Sequence, residues 1–287
     1  MKVRSNKIED ILSHYEELLS KQFPVDESKH LIRSLIEQYT AIPKNQISLN
    51  FKSRISESQI LNIHFGVKDL LKNKPLQYIF NEAPFLDWSF FVNENVLIPR
   101  PETEELVQLI NQSCHNQQAI KILDIGTGSG CIAISLQKLL QAEVTAIDIS
   151  DEALLIANKN AIALDSKVAF IKVDILDISS WQSISKQYDI IVSNPPYIRN
   201  LEKKIMHANV LDFEPNIALF VEDEDPFVFY RSIAEFTKIH LAENGILWFE
   251  INEFLTIELK TLLLTYFSQI EIIQDFRGKD RFCKVMR

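Results

Sequence analysis

Cysteine is scarce in this sequence, and its few cysteines form no pattern. Only three occur in 287 residues, Cys114, Cys131 and Cys283. They lie far apart, leave one thiol without a partner and lack the spacing of metal ligands. We therefore predict neither a disulfide framework nor a metal site, and we expect the reducing cytoplasm as the compartment.

Long apolar runs and positive charge are also scarce. No apolar run approaches the roughly 20 residues that a membrane helix needs, so we expect neither a membrane span nor a targeting segment. The formal net charge is −9 and the isoelectric point is near 5.3. Broad binding to nucleic acid needs a basic surface, so we expect no direct nucleic-acid substrate. A cationic protein partner suits this charge better.

The first 80 residues show helical periodicity and no strand-like run. Apolar residues recur at helical spacing in three stretches, which begin near Ile8, Leu31 and Ile60. The pattern predicts a small all-helical domain over residues 1–80. From the sequence alone this domain is either a stabilising or dimerising appendage or a substrate-docking domain.

Aromatic and β-branched residues dominate the next stretch. Residues 88–92 and 96–98 form two apolar runs on either side of Asn93-Glu94-Asn95. Runs of this kind around a short polar turn are typical of a β-hairpin. We predict a hairpin linker over residues 81–104.

Strands and helices alternate over residues 105–287. The alternation predicts an α/β fold, in which helices cover both faces of a parallel sheet. The predicted strands are 121–125, 143–148, 168–173, 189–192 and 245–251, with two closing strands around Gly278. The predicted helices are 104–113, 131–140, 152–164, 226–242 and 255–267.

Half of the six glycines lie in one loop directly after the strand at 121–125. Glycines at a strand-to-helix turn allow positive φ and let a ligand touch the backbone N–H groups that begin the helix. The spacing is Gly-x-Gly-x-Gly, which differs from the dinucleotide fingerprint and disfavours a pyrophosphate. A nucleotide-like cofactor is expected at this sheet edge, with these candidate contacts: Gly126, Thr127, Gly128, Ser129 and Gly130.

Two acidic residues indicate which cofactor binds. Asp148 ends the second predicted strand of the sheet, where a carboxylate can accept from both hydroxyls of a ribose. Asp124 precedes the glycines, where a negative charge would repel phosphates and attract an ammonium or sulfonium group. Together they indicate S-adenosylmethionine. The alternative is that both carboxylates only cap the turns that follow them.

Two more candidates follow the strand at 168–173. Asp174 can accept a hydrogen bond from an adenine amino group, and Trp181 could supply an apolar wall for the base. The alternative is structural, because acidic loop residues and partly buried indoles are common without a ligand.

The stretch Ser193-Asn194-Pro195-Pro196-Tyr197 follows the strand at 189–192. Two prolines supply no N–H and fix φ, so this loop is rigid. The Asn194 side chain and the Pro195 carbonyl can each accept one N–H of a planar NH₂ group, which turns its lone pair toward a methyl donor. We assign Asn194, Pro195 and Tyr197 to catalysis, with Tyr197 covering the planar group, and add Pro196 to substrate binding. The motif alone does not separate adenine from a glutamine amide.

Taken together, these strings resemble the HemK/PrmC family of protein-(glutamine-N5) methyltransferases. The family modifies the glutamine of the Gly-Gly-Gln motif in peptide chain release factors. The most family-specific string runs from Ile98 to Glu104, Ile-Pro-Arg-Pro-Glu-Thr-Glu, and favours the release-factor branch over the ribosomal-protein glutamine branch. Further matching strings lie at residues 75–79, 213–215 and 230–231.

The resemblance implies a class I methyltransferase with a Rossmann-like sheet that ends in an antiparallel hairpin. It also implies that the N-terminal helices help to hold the release factor. S-adenosylmethionine would contact the glycine loop, Asp148, Trp181 and Asn194, and residues 194–197 would hold the substrate glutamine. The sequence departs from the family pattern at residues 222–227 and 276–278, away from the inferred chemistry.

Two other functions remain open at this point. An amino methyltransferase acting on adenine in DNA or RNA would share the same loop, but the acidic balance and the lack of a basic-aromatic patch disfavour it. A cofactor-binding protein without catalysis is disfavoured by the intact Asn194 and glycine loop. Arg100 is predicted to pair with Glu102 or Glu104, or to help form the cofactor pocket.

Overall fold

The computed structural model describes residues 3–114 and 119–286. Its α-helices are α1 (Ile8–Leu19), α2 (Val25–Thr40), α3 (Glu57–Leu70), α4 (Leu76–Phe80), α5 (Pro101–Ser113), α6 (Cys131–Leu140), α7 (Asp151–Ala163), α8 (Ala208–Phe213), α9 (Val228–His240) and α10 (Thr256–Leu263). Its strands are β1 (Ala83–Phe85), β2 (Trp88–Phe90), β3 (Lys121–Ile125), β4 (Glu143–Asp148), β5 (Val168–Lys172), β6 (Tyr188–Ser193), β7 (Ile198–Arg199), β8 (Phe220–Val221), β9 (Leu241–Glu250), β10 (Gln269–Gln274) and β11 (Asp280–Met286). Across these ranges no helix is long and apolar enough to cross a membrane.

The chain divides into two compact units. The first comprises Met1–Asn81 together with Ala208–Phe213, and the second comprises the rest. The domain boundaries given above stay a prediction. In the first unit the three predicted helices are present as α1, α2 and α3, and their apolar stripes share one buried core. Local signals set their ends: Ser56 and Gln59 form a capping box at the start of α3.

A seven-stranded sheet organises the second unit. Its strand order is β10-β11-β9-β6-β3-β4-β5, and the five strands from β9 to β5 are parallel. The chain closes the sheet with the antiparallel pair β10 and β11. This confirms the predicted fold: a mainly parallel sheet that ends in an antiparallel hairpin.

Both faces of this sheet are buried under helices. Successive side chains of a strand point to opposite faces of the sheet. In β3, Leu123 and Ile125 belong to one buried apolar cluster and Ile122 belongs to another, so there is a core on each face. Strands buried on both faces are rich in apolar residues, as Ile122, Leu123 and Ile125 of β3 illustrate.

The strand order reverses beside β3, and this reversal positions the site. The chain runs from β3 through β4 to β5 on one side and then crosses to β6 on the other. Open α/β sheets bind ligands at the carboxyl ends of the strands at such a point. The glycine loop after β3 and the proline loop after β6 therefore lie next to each other, as the pairing of Ile125 with Ser193 shows.

The prediction that residues 88–92 pair with residues 96–98 in a hairpin was wrong. The strands that pair are β1 and β2, with Phe85 opposite Trp88. The two-residue turn uses Leu86 in the left-handed region, at φ 52°. Residues 96–98 form no strand, because the Ile98 N–H donates to the carboxylate of Glu214 and not to a strand.

Two predicted helix ends also differ from the structure. The helix predicted to Ala242 ends at His240, because β9 already begins at Leu241 and pairs there with Tyr188. The helix predicted for 255–267 spans only Thr256–Leu263. Residues 198–221, for which no helix or strand is predicted above, contain the short parallel pair β7 and β8.

Candidate active site

A cavity of about 280 Å³ lies at the carboxyl edge of the sheet in the second unit. The ends of β3, β4 and β6 contribute Gly126 and Gly128, Asp148 and Asn194 to its lining. Most of the remaining lining is apolar, as expected for a small-molecule site with a few orienting polar groups. The structure thus brings the predicted cofactor loop and the predicted substrate loop to one cavity.

The three loop glycines have two different roles. All three adopt positive φ, at 75° for Gly126, 54° for Gly128 and 82° for Gly130. A Cβ on Gly126 or Gly128 would meet no protein atom within 4 Å, whereas one on Gly130 would lie 3.0 Å from Ile134 and 3.1 Å from Ala157. The first two glycines therefore leave room for a ligand, and the third allows α6 and α7 to pack closely.

Asp148 supports the glycine loop and also lines the cavity. Its Oδ2 accepts from the Gly128 N–H at 2.8 Å, and its Oδ1 accepts from the Ser150 N–H at 3.0 Å. Burial raises its pKa, while these backbone donors act in the opposite direction. Each carboxylate oxygen has a second lone pair, so the capping role and a ligand-binding role are compatible.

Asp124 is a buried carboxylate with an unsatisfied oxygen. It is fully buried behind the glycine loop, and its Oδ2 accepts from the Thr127 hydroxyl at 2.6 Å. Its Oδ1 has no hydrogen-bond partner among the described residues. Burial raises the pKa of Asp124 to about 7, and nearby Asp148 adds to this rise, whereas the Thr127 hydroxyl and the Ala133 backbone N–H oppose it. Thr127 and Ser129 are themselves buried and do not line the cavity.

Asp174 and Trp181 lie in different environments. Asp174 lines the cavity, and its Oδ1 accepts from the Leu176 N–H at 2.9 Å. Trp181 is only 6% exposed, and its Nε1–H donates to the Ile175 carbonyl at 3.1 Å. Trp181 therefore lies in the core behind Ile175, which lines the cavity, and the indole itself does not.

The loop after β6 is held at several points. The Ser193 hydroxyl donates to the Ile125 carbonyl at 2.8 Å, and the Asn194 Nδ2 donates to Thr103 Oγ1 at 3.3 Å. The Asn252 side chain donates to the Tyr197 carbonyl at 3.2 Å. Asn194, Pro195 and Pro196 line the cavity. The prediction of a rigid loop thus has a structural basis in its prolines and in these hydrogen bonds.

Tyr197 is placed differently from the expectation that its ring covers the substrate. Its hydroxyl donates to Glu250 Oε1 at 3.0 Å, and the residue does not line the cavity. Burial raises its pKa, and the neighbouring Glu250 carboxylate adds to the rise. Tyr197 is partly buried against the apolar core, and Glu250 supplies the acceptor that its phenol hydroxyl needs there.

Arg100 does not pair with Glu102 or Glu104. Its Nη2 donates to Glu214 Oε1 at 2.5 Å, and Glu214 is 4% exposed. The Ile98 N–H donates to Glu214 Oε2 at 3.2 Å, so this carboxylate joins two chain segments. Burial explains the choice: Glu214 cannot reach water and requires a cation, whereas acids near the start of a helix remain solvated.

Sequence reasoning missed several cavity residues. Ile149 and Leu176 follow β4 and β5, are each 42% exposed and line the cavity. Segments 95–97 and 215–218 contribute further walls. An apolar residue directly after the acidic strand end was the available signal for Ile149, and the Glu214-Pro215 pair was the signal for the second segment.

The cavity fits S-adenosylmethionine on features of this chain alone. Open space lies over Gly126 and Gly128, where a ligand can approach the backbone. The unsatisfied Oδ1 of Asp124 lies behind the same loop and suits a cationic ligand. Exposed Ile149 and Leu176 offer apolar surface to a flat base.

Comparison with known proteins gives the same assignment. The family described as "Methyltransferase small domain" matches residues 102–212. The release factor glutamine methyltransferase of Flavobacterium psychrophilum is 43% identical over 283 residues, which cover 97% of this chain and 98% of that protein. The enzyme of the same name from Bacteroides thetaiotaomicron is 48% identical over 237 residues, which cover 82% of this chain and 83% of that protein.

Solved structures show the fold. A methyltransferase of Pyrococcus furiosus matches with a TM-score of 0.52 and 18% identity, over 76% of this chain and 95% of that chain. A 16S rRNA methyltransferase of T. thermophilus, in complex with AdoMet and guanosine, matches with a TM-score of 0.52 and 17% identity. The match covers 72% of this chain and 49% of that chain. The relatives confirm the resemblance stated from sequence: this chain, 97% of which aligns with the first relative and 82% with the second, belongs to the family of release factor glutamine methyltransferases.

Proposed function

We propose that this chain transfers a methyl group from S-adenosylmethionine to the side-chain amide nitrogen, N5, of the glutamine in the Gly-Gly-Gln motif of a peptide chain release factor. The observation that carries the proposal is the amide of Asn194. It lines the cavity beside the glycine loop, and its NH₂ is held by Thr103. Its carbonyl oxygen is thereby directed away from Thr103 and can accept a hydrogen bond from a substrate.

A glutamine amide is a poor nucleophile because its nitrogen lone pair is delocalised into the carbonyl group. Two fixed acceptors change this: Asn194 Oδ1 and the Pro195 carbonyl each take one N–H of the substrate amide. They favour the pyramidal nitrogen, and they stabilise the positive charge that develops on it during transfer. No strong base is needed before transfer: the carbon–sulfur bond breaks as the nitrogen–carbon bond forms, S-adenosylhomocysteine leaves, and the methylated nitrogen then loses one proton to water.

The rigid loop contributes by fixing these acceptors before the substrate arrives. Ser193, Asn194 and Tyr197 are each tied to another segment of the chain, and the prolines restrict the backbone between them. An acceptor that is already oriented needs no reorganisation during the reaction. We propose that Tyr197 acts here as an anchor of the loop.

S-adenosylmethionine supplies an electrophilic methyl group on a sulfonium sulfur. We propose that Asp148 accepts from its ribose hydroxyls and Asp174 from its adenine amino group, while Ile149 and Leu176 hold the base. Gly126 and Gly128 leave space for the cofactor to approach the backbone. Asp124 favours its positive charge from behind the loop, and Trp181 supports the wall at Ile175.

We propose the release factor as the protein partner and the cytoplasm as the compartment. The three cysteines are free thiols buried in the fold, which fits a reducing environment. The net charge of −9 favours a basic protein partner over nucleic acid.

Mass spectrometry tests the activity. The protein is incubated with labelled S-adenosylmethionine and either a release factor, the same release factor with the Gly-Gly-Gln glutamine replaced by alanine, or a DNA duplex. We expect one methyl group on that glutamine and none on the alanine variant. A methyl group on the duplex alone would replace this proposal with an adenine methyltransferase.

A further inference from the structure

Glu250 is a buried carboxylate that is hydrogen-bonded both to Thr103 and to Tyr197 of the loop after β6. It is the last residue of β9 and is 2% exposed. Its Oε2 accepts from the Thr103 hydroxyl at 2.7 Å, and its Oε1 accepts from the Tyr197 hydroxyl at 3.0 Å. Its own backbone carbonyl accepts from the Tyr230 hydroxyl at 3.0 Å, which fixes the end of the strand.

The Thr103 hydroxyl links Glu250 to Asn194 and determines which way the Asn194 side-chain amide is oriented. A threonine hydroxyl carries a single proton, and here that proton is donated to the carboxylate. The oxygen of Thr103 can then only accept from Asn194. The NH₂ of Asn194 must therefore face Thr103, as the Nδ2 to Oγ1 distance of 3.3 Å shows.

We propose that Glu250 is a positioning residue that, through Thr103, fixes which end of the Asn194 amide faces the substrate; this inference rests on the function proposed above. With the NH₂ on Thr103, the carbonyl oxygen faces the cavity, where the reaction needs an acceptor. With the amide reversed, an NH₂ would face the substrate NH₂, and two donors would meet. The same carboxylate anchors Tyr197, so one side chain holds the loop at both ends.

The arrangement requires ionised Glu250. Both of its oxygens accept from hydroxyls, and a protonated carboxyl would have to donate at one of them. A proton donated to Thr103 would let that hydroxyl donate to Asn194 and reverse the amide.

Several groups set the charge of Glu250. Burial raises its pKa; the hydrogen bonds from Thr103 and Tyr197 and the charge of Arg281 on β11 lower it, and Glu102 on α5 raises it. The charge of Glu250 in turn raises the pKa of Tyr230 on α9 and of Cys131 on α6. Because the pKa of Glu250 is raised, its ionised form is lost as the pH falls. At saturating cofactor we therefore expect kcat to decrease on the acid side.

Thr103→Val and Thr103→Ser form a matched pair for the test. Valine has the shape of threonine without the hydroxyl, and serine keeps the hydroxyl. We expect Thr103→Val to lower kcat roughly 10- to 100-fold, the range for losing an outer hydrogen bond that orients a site residue. The dissociation constant for S-adenosylmethionine should stay within about 2-fold, because the hydrogen bond is made in the substrate loop. Thr103→Ser should recover most of the loss.

Glu250→Gln tests the charge. A glutamine must donate at one end, so we expect a lower kcat and a pH profile that has lost its acid limb. The double variant with Thr103→Val should lose less than the product of the two single losses, because both changes break one chain of hydrogen bonds.

The side-chain amide signals of Asn194 in NMR spectra give a readout without substrate. We expect these signals, assigned with Asn194→Asp, to move in Thr103→Val and to stay near the wild-type position in Thr103→Ser. Wild-type kcat in Thr103→Val, or unmoved signals, would overturn the inference. Failure of the wild-type protein to methylate a release factor would instead overturn the proposed function, and the NMR comparison would still decide the role of Thr103.

Discussion

Replacing Asp124 with asparagine should make the protein more stable and weaken its binding of S-adenosylmethionine. Asp124 is fully buried, and one of its oxygens has no partner in the described parts of the chain. Burial raises its pKa from 3.8 to about 7. Between these values the folded protein holds a proton that the unfolded chain has lost. The free energy of unfolding therefore falls as the pH rises from about 4 to 7.

The size of the effect follows from the shift. At ~1.36 kcal/mol per pKa unit, the rise of about three units means that ionised Asp124 costs about 4 kcal/mol at pH 8. Asparagine removes this cost but places a buried NH₂ where the free oxygen was, which costs roughly 1–3 kcal/mol. We expect a net gain of about 2 kcal/mol at pH 8, or roughly 4–8 °C in Tm for a unit of this size. At pH 5 wild-type Asp124 is protonated, and the gain should vanish.

Tryptophan fluorescence is a suitable assay for this variant. Trp88, Trp181 and Trp248 all lie in the second unit, so their emission reports the unfolding of the part that contains the site. Asp165→Asn is a matched control. Asp165 is exposed and has φ 49°, a conformation that asparagine also adopts. The control should leave Tm nearly unchanged at both pH values.

Cofactor affinity gives the second measurement for Asp124. Loss of the charge should weaken S-adenosylmethionine binding by about 1.5–3 kcal/mol at pH 8, as for other interactions with a charged partner. In the wild type the affinity should fall roughly tenfold between pH 8 and pH 6, because protonation of Asp124 competes with the cation. The reasoning is refuted if the Asn variant is destabilised equally at pH 5 and pH 8, or if its affinity follows pH as the wild type does.

Three further substitutions probe the remaining parts of the site. Asp148→Ala should weaken S-adenosylmethionine binding by about 1.5–3 kcal/mol in calorimetry, and an unchanged affinity would contradict its assignment to the ribose. Asn194→Ala should lower kcat by roughly 10²-fold or more while the cofactor still binds, and normal turnover would remove Asn194 from the mechanism. Arg100→Met leaves Glu214 buried without its cation and should lower the free energy of unfolding by roughly 1–3 kcal/mol in denaturant titrations. Adding Glu214→Gln should recover part of that loss, and a double variant less stable than Arg100→Met would speak against the pairing.

The positions of the glycine loop and Asp148 at the cavity could be predicted because their signals are local. The glycine loop and Asp148 lie at strand ends that the apolar periodicity locates, and short-range backbone rules give each a role. The same holds for the rigid loop of Pro195 and Pro196, which is encoded in two adjacent residues. The mainly parallel sheet covered by helices followed from the alternation of strands and helices along the chain.

The supporting contacts could not be predicted because they join distant parts of the chain. Thr103 and Glu250 are 147 positions apart, and Arg100 and Glu214 are 114 apart. Arg100 was therefore assigned to its sequence neighbours, although a buried carboxylate far along the chain had the stronger need for a cation. The hairpin error has the same origin. The run that contains β2 was recognised, but its partner β1 was not, because the left-handed turn at Leu86 has no glycine or asparagine to mark it.

The buried carboxylates of Asp124 and Glu250 differ in how completely their oxygens are hydrogen-bonded. This difference distinguishes a carboxylate that serves ligand binding from one that supports the structure of the site. Glu250 is satisfied within the chain by two hydroxyl donors and by the nearby charge of Arg281. Asp124 has the Thr127 hydroxyl as a donor, and the nearby Ala133 backbone N–H also lowers its pKa, but its Oδ1 has no hydrogen-bond partner among the described residues and the charge beside it is the repulsive Asp148. A fold selected only for stability has no reason to keep a carboxylate in that state. The incomplete set of partners around Asp124 therefore points to a cation that arrives with the ligand, whereas the complete set around Glu250 points to a role in holding the catalytic loop.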